Sequence, residues 1–370
     1  MTSKAYSPKW SILLPTHNRV STLRFAISSA LIQTVQDFEL LVVGDGCTDE
    51  TKKLIESFND NRIRYFDLPK GRGFGYANRN IALREARGRY VAFLADDDLW
   101  LTDHLEILGK EIEDYDLVYT KPLWITPEGM IFPTSFNLKI DGCLKAFLGM
   151  LENALPAGCF AYKRSVHEEV GYWDESLEKN GDWDLWKRII IGQKNSGEIT
   201  NGELPEDNDY FNSLSLKIGF IETPTNLHFR APWKGDHNEG HKEMKLWRDF
   251  LSKYPFPESL NLKLESSTEI LEQEIVFNHL KDPKNIKNIR SSISTLYDQF
   301  IFCSLAGDLS LNQYHRELNN YIEQYHAVKS HRDELERFIL DTQKSHENQE
   351  INDIWPNIVQ KLKSKIKRLI

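Results

Sequence analysis

Three carboxylates in a row close an apolar run, Phe93-Leu94-Ala95-Asp96-Asp97-Asp98, and Leu99-Trp100 follows at once. Adjacent acids repel, by roughly 4 kcal/mol for unit charges about 4 Å apart at an effective dielectric near 20. A hard divalent cation resolves that repulsion, and oxygen-only ligands favour Mg2+ or Mn2+ with positions left for substrate phosphates. A solvated turn and helix N-cap is the plainer use of the same triplet. A further acid, Asp182, opens a segment in which Trp186, Ile189 and Ile190 share one helix face, so it is either a cap or a carboxylate beside open space. Between these acids lies Asn78-Arg79-Asn80, where a guanidinium on a first helical turn suits a diphosphate.

Elements must bring these residues together. Tyr90 to Leu94 reads as a buried parallel strand, which puts the acid triplet at a strand's carboxyl end, where open α/β sheets bind ligands. Before it, Ser11 to Leu14 is a strand, Ser21 caps a helix carrying Leu23, Ile27, Ala30 and Leu31, and Phe38 to Val43 is a second strand. A helix from Thr48 or Asp49 to Phe58, a strand Ile63 to Phe66 and a helix Tyr76 to Ala86 complete a mononucleotide-binding half of doubly wound type. The loop Lys70-Gly71-Arg72-Gly73-Phe74-Gly75 lacks the Gly-Lys-Ser/Thr of a P-loop, and no GxGxxG follows the first strand. Downstream come a helix Thr102 to Asp114, a strand Leu117 to Thr120, a hairpin from Trp124 to Phe132 around Pro127-Glu128-Gly129, a helix Asp141 to Leu151 and a strand Gly158 to Tyr162. The polar segment 193–209 reads as a loop over a site.

Composition narrows the classes. The 370 residues leave room for one large core and an appendage, and a formal charge of −9 argues against a nucleic-acid binder. No run approaches the roughly 20 apolar residues of a membrane span and the start has no signal-peptide core, so a cytoplasmic protein is expected. Cys47, Cys143, Cys159 and Cys303 show no CxxC pairing, which predicts free thiols.

Six ordered motifs between about Lys9 and His237 resemble the family 2 glycosyltransferases: Pro-Thr-His-Asn-Arg, Val-Gly-Asp-Gly-Cys-Thr-Asp, Asn-Arg-Asn, Phe-Leu-Ala-Asp-Asp-Asp-Leu-Trp, Gly-Tyr-Trp-Asp-Glu and Gly-Asp-Trp-Asp-Leu-Trp. The resemblance implies an α/β fold of the A-type, Rossmann-like with a mixed central sheet flanked by helices, over residues 1–240. It implies an inverting, metal-dependent enzyme that moves a sugar from a nucleotide-diphosphate donor, UDP-sugar favoured, to a hydroxyl of a glycan or lipid-linked acceptor. On that likeness Pro15, Thr16, Asn18, Asp45, Arg79 and Asp96 bind the nucleotide and Asp45 meets the base. Asp97 is the main ligand of Mn2+ or Mg2+ with Asp96 beside it, and Asp98 braces the loop. Asp182 is the general base, an effect worth roughly 10² to 10⁴-fold. A third metal ligand would be His237 or His228, with His237 preferred. Trp173, Trp183 and Trp233 either stack on acceptor sugars or belong to the core. Ala95 stands where the family usually has an aspartate, which keeps open an inactive nucleotide-sugar-binding scaffold acting through its helical tail.

Beyond residue 240 the pattern turns helical: Lys242 to Lys253, Ser267 to Leu280 and Ile286 to Leu305, an all-α extension over 241–309. Residues 310–352 carry heptad-like apolar spacing, in line with packing on the chain itself or with homo-oligomer formation through 310–345. In 353–370 the apolar residues from Trp355 to Ile370 fall within roughly 120° of arc opposite lysines and Arg368. That profile suits peripheral contact with the inner face of a membrane, or a helix packed on a partner.

Overall fold

The computed structural model describes residues 7–126, 129–134, 136–139, 141–148, 155–192, 218–229, 250, 254, 256–264 and 272–306. The opening segment alternates as expected: β1 (Trp10–Thr16), α1 (Val20–Leu31), β2 (Phe38–Asp45), α2 (Asp49–Ser57), β3 (Ile63–Leu68), α3 (Tyr76–Arg84) and β4 (Tyr90–Phe93). Then come β5 (Leu99–Trp100), α4 (His104–Glu111), β6 (Leu117–Ile125), β7 (Ile131–Pro133), α5 (Asp141–Leu148), β8 (Phe160–Lys163), α6 (Val166–Val170), α7 (Gly181–Ile191), β9 (Ile218–Phe229), α8 (Glu272–Leu280) and α9 (Pro283–Ala306).

Among the described residues the strands form one mixed sheet in the order β3-β2-β1-β4-β8-β6-β9-β5, with β7 on β6. Strands β1 to β4 are mutually parallel, β8 runs antiparallel to both β4 and β6, and β9 is parallel to β6 and antiparallel to β5. Every residue of β2 is buried, and β1 is buried except at Pro15, because helices cover both faces of a parallel sheet. Trp10, Ile12, Leu14, Leu40, Val42, Tyr90, Ala92 and Trp100 pack into one cluster with Leu23, Ala26 and Ile27 of α1. Each such fully buried aliphatic or Phe-sized side chain contributes roughly 1.5 to 3 kcal/mol.

The chain crosses from β1 to β2 on one side and returns to β4 on the other. The carboxyl ends of β1 and β4 therefore flank the switch point at which open α/β sheets hold ligands. Two details depart from the sequence expectation. Helix α1 starts at Val20 rather than behind a Ser21 cap, because Asn18 adopts a left-handed backbone and the Thr22 and Leu23 amides bond to the Arg19 carbonyl. Strand β6 is one continuous element through Pro122, not a strand and a separate hairpin arm. A register shift between Thr120 and Pro122 absorbs the proline, which has no N–H to give.

The chain divides into two compact units, one of residues 1–136, 147–235 and 257–293, the other of 137–146, 236–256 and 294–370. The first holds the sheet. In the second, Phe250 stacks on Tyr254 and meets the ring of Phe300 edge-on. No helix of the described residues is long and apolar enough to cross a membrane. The expected features of 193–209, 310–352 and 353–370, together with the helix from Lys242 to Lys253, lie outside the described residues apart from Phe250.

Candidate functional site

The acid triplet lies directly beyond β4, and all three aspartates are buried, at 4 %, 3 % and 1 % exposure for Asp96, Asp97 and Asp98. Three buried carboxylates in succession require compensation: Asp96 and Asp97 share Arg19, and Asp98 is compensated from β9. The Thr16 hydroxyl donates to Asp96 Oδ2 at 2.8 Å, across the switch point from β1. Arg19 Nη1 donates to Asp96 Oδ1 at 2.7 Å and also reaches Asp97 Oδ2 at 3.4 Å. Burial pushes the Asp96 carboxyl up against the pull of Arg19, Thr16 and the His17 amide. Asp98 turns the other way: it accepts from His228 Nδ1 at 2.8 and 2.9 Å and from the Phe229 amide at 3.1 Å, both at the end of β9. This is the bracing expected of Asp98. It also fixes His228 on β9 beside Trp124, whose ring it meets edge-on.

Asp45, at the end of β2, is buried and accepts from three donors. Its Oδ1 accepts from the Gly71 amide at 2.6 Å and from Asn78 Nδ2 at 2.7 Å, and its Oδ2 pairs with Lys70. Burial works to raise this carboxyl, but the Lys70, Gly71 and Asn78 bonds outweigh it and hold the pKa below the usual carboxylate range. The glycine loop is thus folded onto Asp45. A Cβ on Gly75, whose φ is +72°, would lie 2.6 Å from that carboxylate.

The Asn-Arg-Asn run of α3 divides its labour. Asn78 reaches Asp45, and Asn80 exchanges bonds with the backbone of Trp173 at 2.9 and 3.0 Å while also donating to Glu175 at 2.8 Å. Arg79 between them lies over the rings of Tyr76 and Trp173, 5.1 and 4.8 Å from their centroids. Its Nε is buried with no hydrogen-bond partner among the described residues. Burial lowers its pKa, while Tyr76, Asp182, Asp96 and Asp45 act to raise it, so the charges of all three acids are felt at this one guanidinium.

Asp182 stands in the first turn of α7, partly exposed. The helix start is seated on α3: the Gly181 amide donates to the Tyr76 hydroxyl at 2.9 Å, and a Cβ on Gly181 would lie 2.5 Å from the Tyr76 ring. Asp184 holds Arg188 at 2.8 Å, and Arg188 in turn donates to the carbonyls of Val170 and Tyr172, which fixes the helix behind Asp182.

Of the sequence candidates, Thr16, Asp96 and Asp97 meet at the switch point, and Arg79, Asp182 and Asp45 surround it through α3. Asn18 is exposed and accepts from the Thr48 amide at 2.8 Å, and Pro15 sits in β1 opposite Val43. Trp173 is a core residue stacked on Tyr76, and Trp183 donates to the Phe147 carbonyl at 2.8 Å. His237 and Trp233 lie outside the described residues. Sequence reasoning passed over Arg19, Lys70 and Asn78 as site residues; the first two lie in loops with no periodicity, and only their proximity to the acids gives them meaning.

Among the described residues no group of three His, Cys, Asp or Glu side chains converges as a metal cage. Asp97 nevertheless fits Mg2+ or Mn2+, which are commonly held by one or two carboxylates with substrate phosphates and water completing the shell.

Residues 11–171 match the model of glycosyl transferase family 2. YwdF of Bacillus subtilis, an uncharacterised glycosyltransferase, is 27 % identical over 235 residues, which is 59 % of this chain and 87 % of that protein. The Escherichia coli UDP-Glc:alpha-D-GlcNAc-diphosphoundecaprenol beta-1,3-glucosyltransferase WfgD is 40 % identical over 97 residues, 26 % of this chain and 38 % of that protein. Rickettsia relatives are spanned over 18 % to 61 % of their own length. Among solved structures, S. aureus TarS residues 1–349 in complex with UDP is 17 % identical, covers 85 % of this chain and 89 % of that one, and has a TM-score of 0.43. The sheet order, the acids at its switch point and the matched segment agree, and residues 11–171 of the chain resemble glycosyl transferase family 2.

Proposed function

We propose that the chain transfers a sugar from a nucleotide-diphosphate donor, a UDP-sugar foremost, to a hydroxyl of a glycan or lipid-linked acceptor, with inversion at the anomeric carbon. The observation that carries this reading is Arg79: a guanidinium nitrogen buried without an acceptor, in the field of Asp182, Asp96 and Asp45, is a site kept for an anion. A diphosphate supplies the paired oxygens that a guanidinium binds in parallel.

Asp97 would hold Mn2+ or Mg2+ there, and the ion's chemistry is to stabilise charge on the departing diphosphate. Asp182 takes the proton of the acceptor hydroxyl as it attacks the face opposite the leaving group. One displacement needs one base, unlike glycoside hydrolysis with its two flanking carboxylates. Asp45 meets the base ring, with Lys70 and Asn78 fixing its orientation. The WfgD name, with its UDP-glucose donor and diphosphoundecaprenol acceptor, supports the donor and acceptor classes.

Thermal shift with UDP, GDP, dTDP and CMP, each with and without Mn2+, tests the reading. A shift with UDP that Mn2+ enlarges, lost in Asp97→Asn, is the expected result. No shift with any of the four nucleotides would remove the donor site.

A further inference from the structure

Arg19 touches two of the three buried acids beyond β4, Asp96 and Asp97. A single nitrogen, Nη1, bridges them, at 2.7 Å from Asp96 Oδ1 and 3.4 Å from Asp97 Oδ2. The two contacts are unequal. The first is a full charge-assisted hydrogen bond, backed on the other Asp96 oxygen by Thr16; the second is long and weak. The acids are buried, with side chains 6 % and 3 % exposed, whereas the Arg19 side chain is 33 % exposed and has solvent beside it. A guanidinium in this position offsets part of the charge that these two carboxylates would present to a divalent ion. An ion bound at Asp97 then lies close to a fixed positive charge, and the negative charge of a diphosphate offsets that repulsion.

We infer that Arg19 is the built-in counter-ion of the acid turn, which weakens binding of a divalent cation alone at Asp97 and so couples it to binding of the donor's diphosphate. The inference rests on the donor-site reading above. Its consequence is cooperative loading: cation and nucleotide each raise the other's affinity by the same factor.

The test titrates Mn2+ alone, and Mn2+ in the presence of UDP, against the wild-type chain and Arg19→Gln, with free Mn2+ read by electron paramagnetic resonance. In the wild type UDP tightens Mn2+ by about fivefold or more, the lower end of ordinary coupling between sites. In Arg19→Gln, Mn2+ alone binds about fivefold or more tightly than to wild type, and the effect of UDP shrinks correspondingly. Should that variant not fold, Arg19→Lys carries the same measurement. Lysine keeps a positive charge beside Asp96 and changes only the geometry by which that charge reaches Asp97, so Mn2+ alone tightens in the same direction by a smaller factor. Unchanged affinity for Mn2+ alone in the folded variant, with binding still lost in Asp97→Asn, overturns the counter-ion role and leaves the donor site standing. If Asp97→Asn binds Mn2+ as the parent does, the cation site itself fails and the inference falls with it.

Discussion

At the scale of single residues, the site is a set of buried charges sorted by their partners. Asp96 is committed to Thr16 and Arg19, and Asp98 to β9, while Asp182 has no hydrogen bond among the described residues. A carboxylate left uncommitted on a rigid helix start is suited to take a proton. Asp182→Asn keeps shape and removes basicity, so kcat should fall by about 10² to 10⁴-fold with the KM for donor little changed, as steady-state kinetics would measure. A comparable fall in donor affinity instead would make Asp182 a binding residue. Gly181 admits no side chain: Gly181→Ala drives a methyl group into the Tyr76 ring and tilts α7 off α3. Activity should drop at least tenfold with a lowered melting temperature, and the crystal structure of the variant should show Asp182 displaced. These residue types and their spacing were legible in the sequence because acids beside apolar runs are rare and ordered. Arg19 and Lys70 were not, since a loop cation has no pattern until the fold supplies its partner.

At the scale of elements, periodicity carried the first half of the sheet and failed where strands exist only by virtue of their neighbours. Strand β5 is two residues long and is a strand because β9 runs beside it, pairing Leu99 with Leu227 and Trp100 with Asn226. Only the His228 end of strand β9 reads as a strand in the sequence: its Glu222-Thr223-Pro224-Thr225-Asn226 stretch is polar, yet Thr225 is buried against His104 Nδ1 at 2.7 Å and Thr120 Oγ1 at 2.9 Å. The helical extension is tied to this junction. Arg290 of α9 donates to both oxygens of Asp103 at 2.7 Å and to the Pro224 carbonyl at 3.0 and 3.1 Å. Arg290→Ala should cost about 1 to 2 kcal/mol, the range of charge-assisted bonds at a partly exposed pair. Urea denaturation would measure it, and a midpoint unmoved from the parent's would show that α9 does not hold β9.

At the scale of the whole molecule, buried histidines make stability depend on pH. His167 has both ring nitrogens in use, with the Tyr162 hydroxyl at 2.7 Å and the Gly171 carbonyl at 2.8 Å. Burial lowers its pKa to about 4, aided by Arg188 and Arg164 and opposed by the Gly171 bond. His104, stacked on Trp100, is lowered by burial to about 3. Because the unfolded chain protonates histidine near 6.5, it binds more protons than the folded state below that value. Stability is therefore full above about pH 6.5 and falls as pH drops towards 4, by on the order of 3 kcal/mol for His167 alone. Melting temperature measured from pH 7 to 4 should decline over that window, and His167→Gln should flatten the decline; an identical slope in the variant would exclude His167 as its source.

The bond that braces the acid turn spans 130 residues, from Asp98 to His228. A ribosome adding about 5 to 20 residues per second exposes the turn several seconds or more before its brace emerges. During that interval the nascent chain carries the acid turn but lacks the strand whose His228 and Phe229 brace Asp98, so the folded geometry of the turn waits on the arrival of β9.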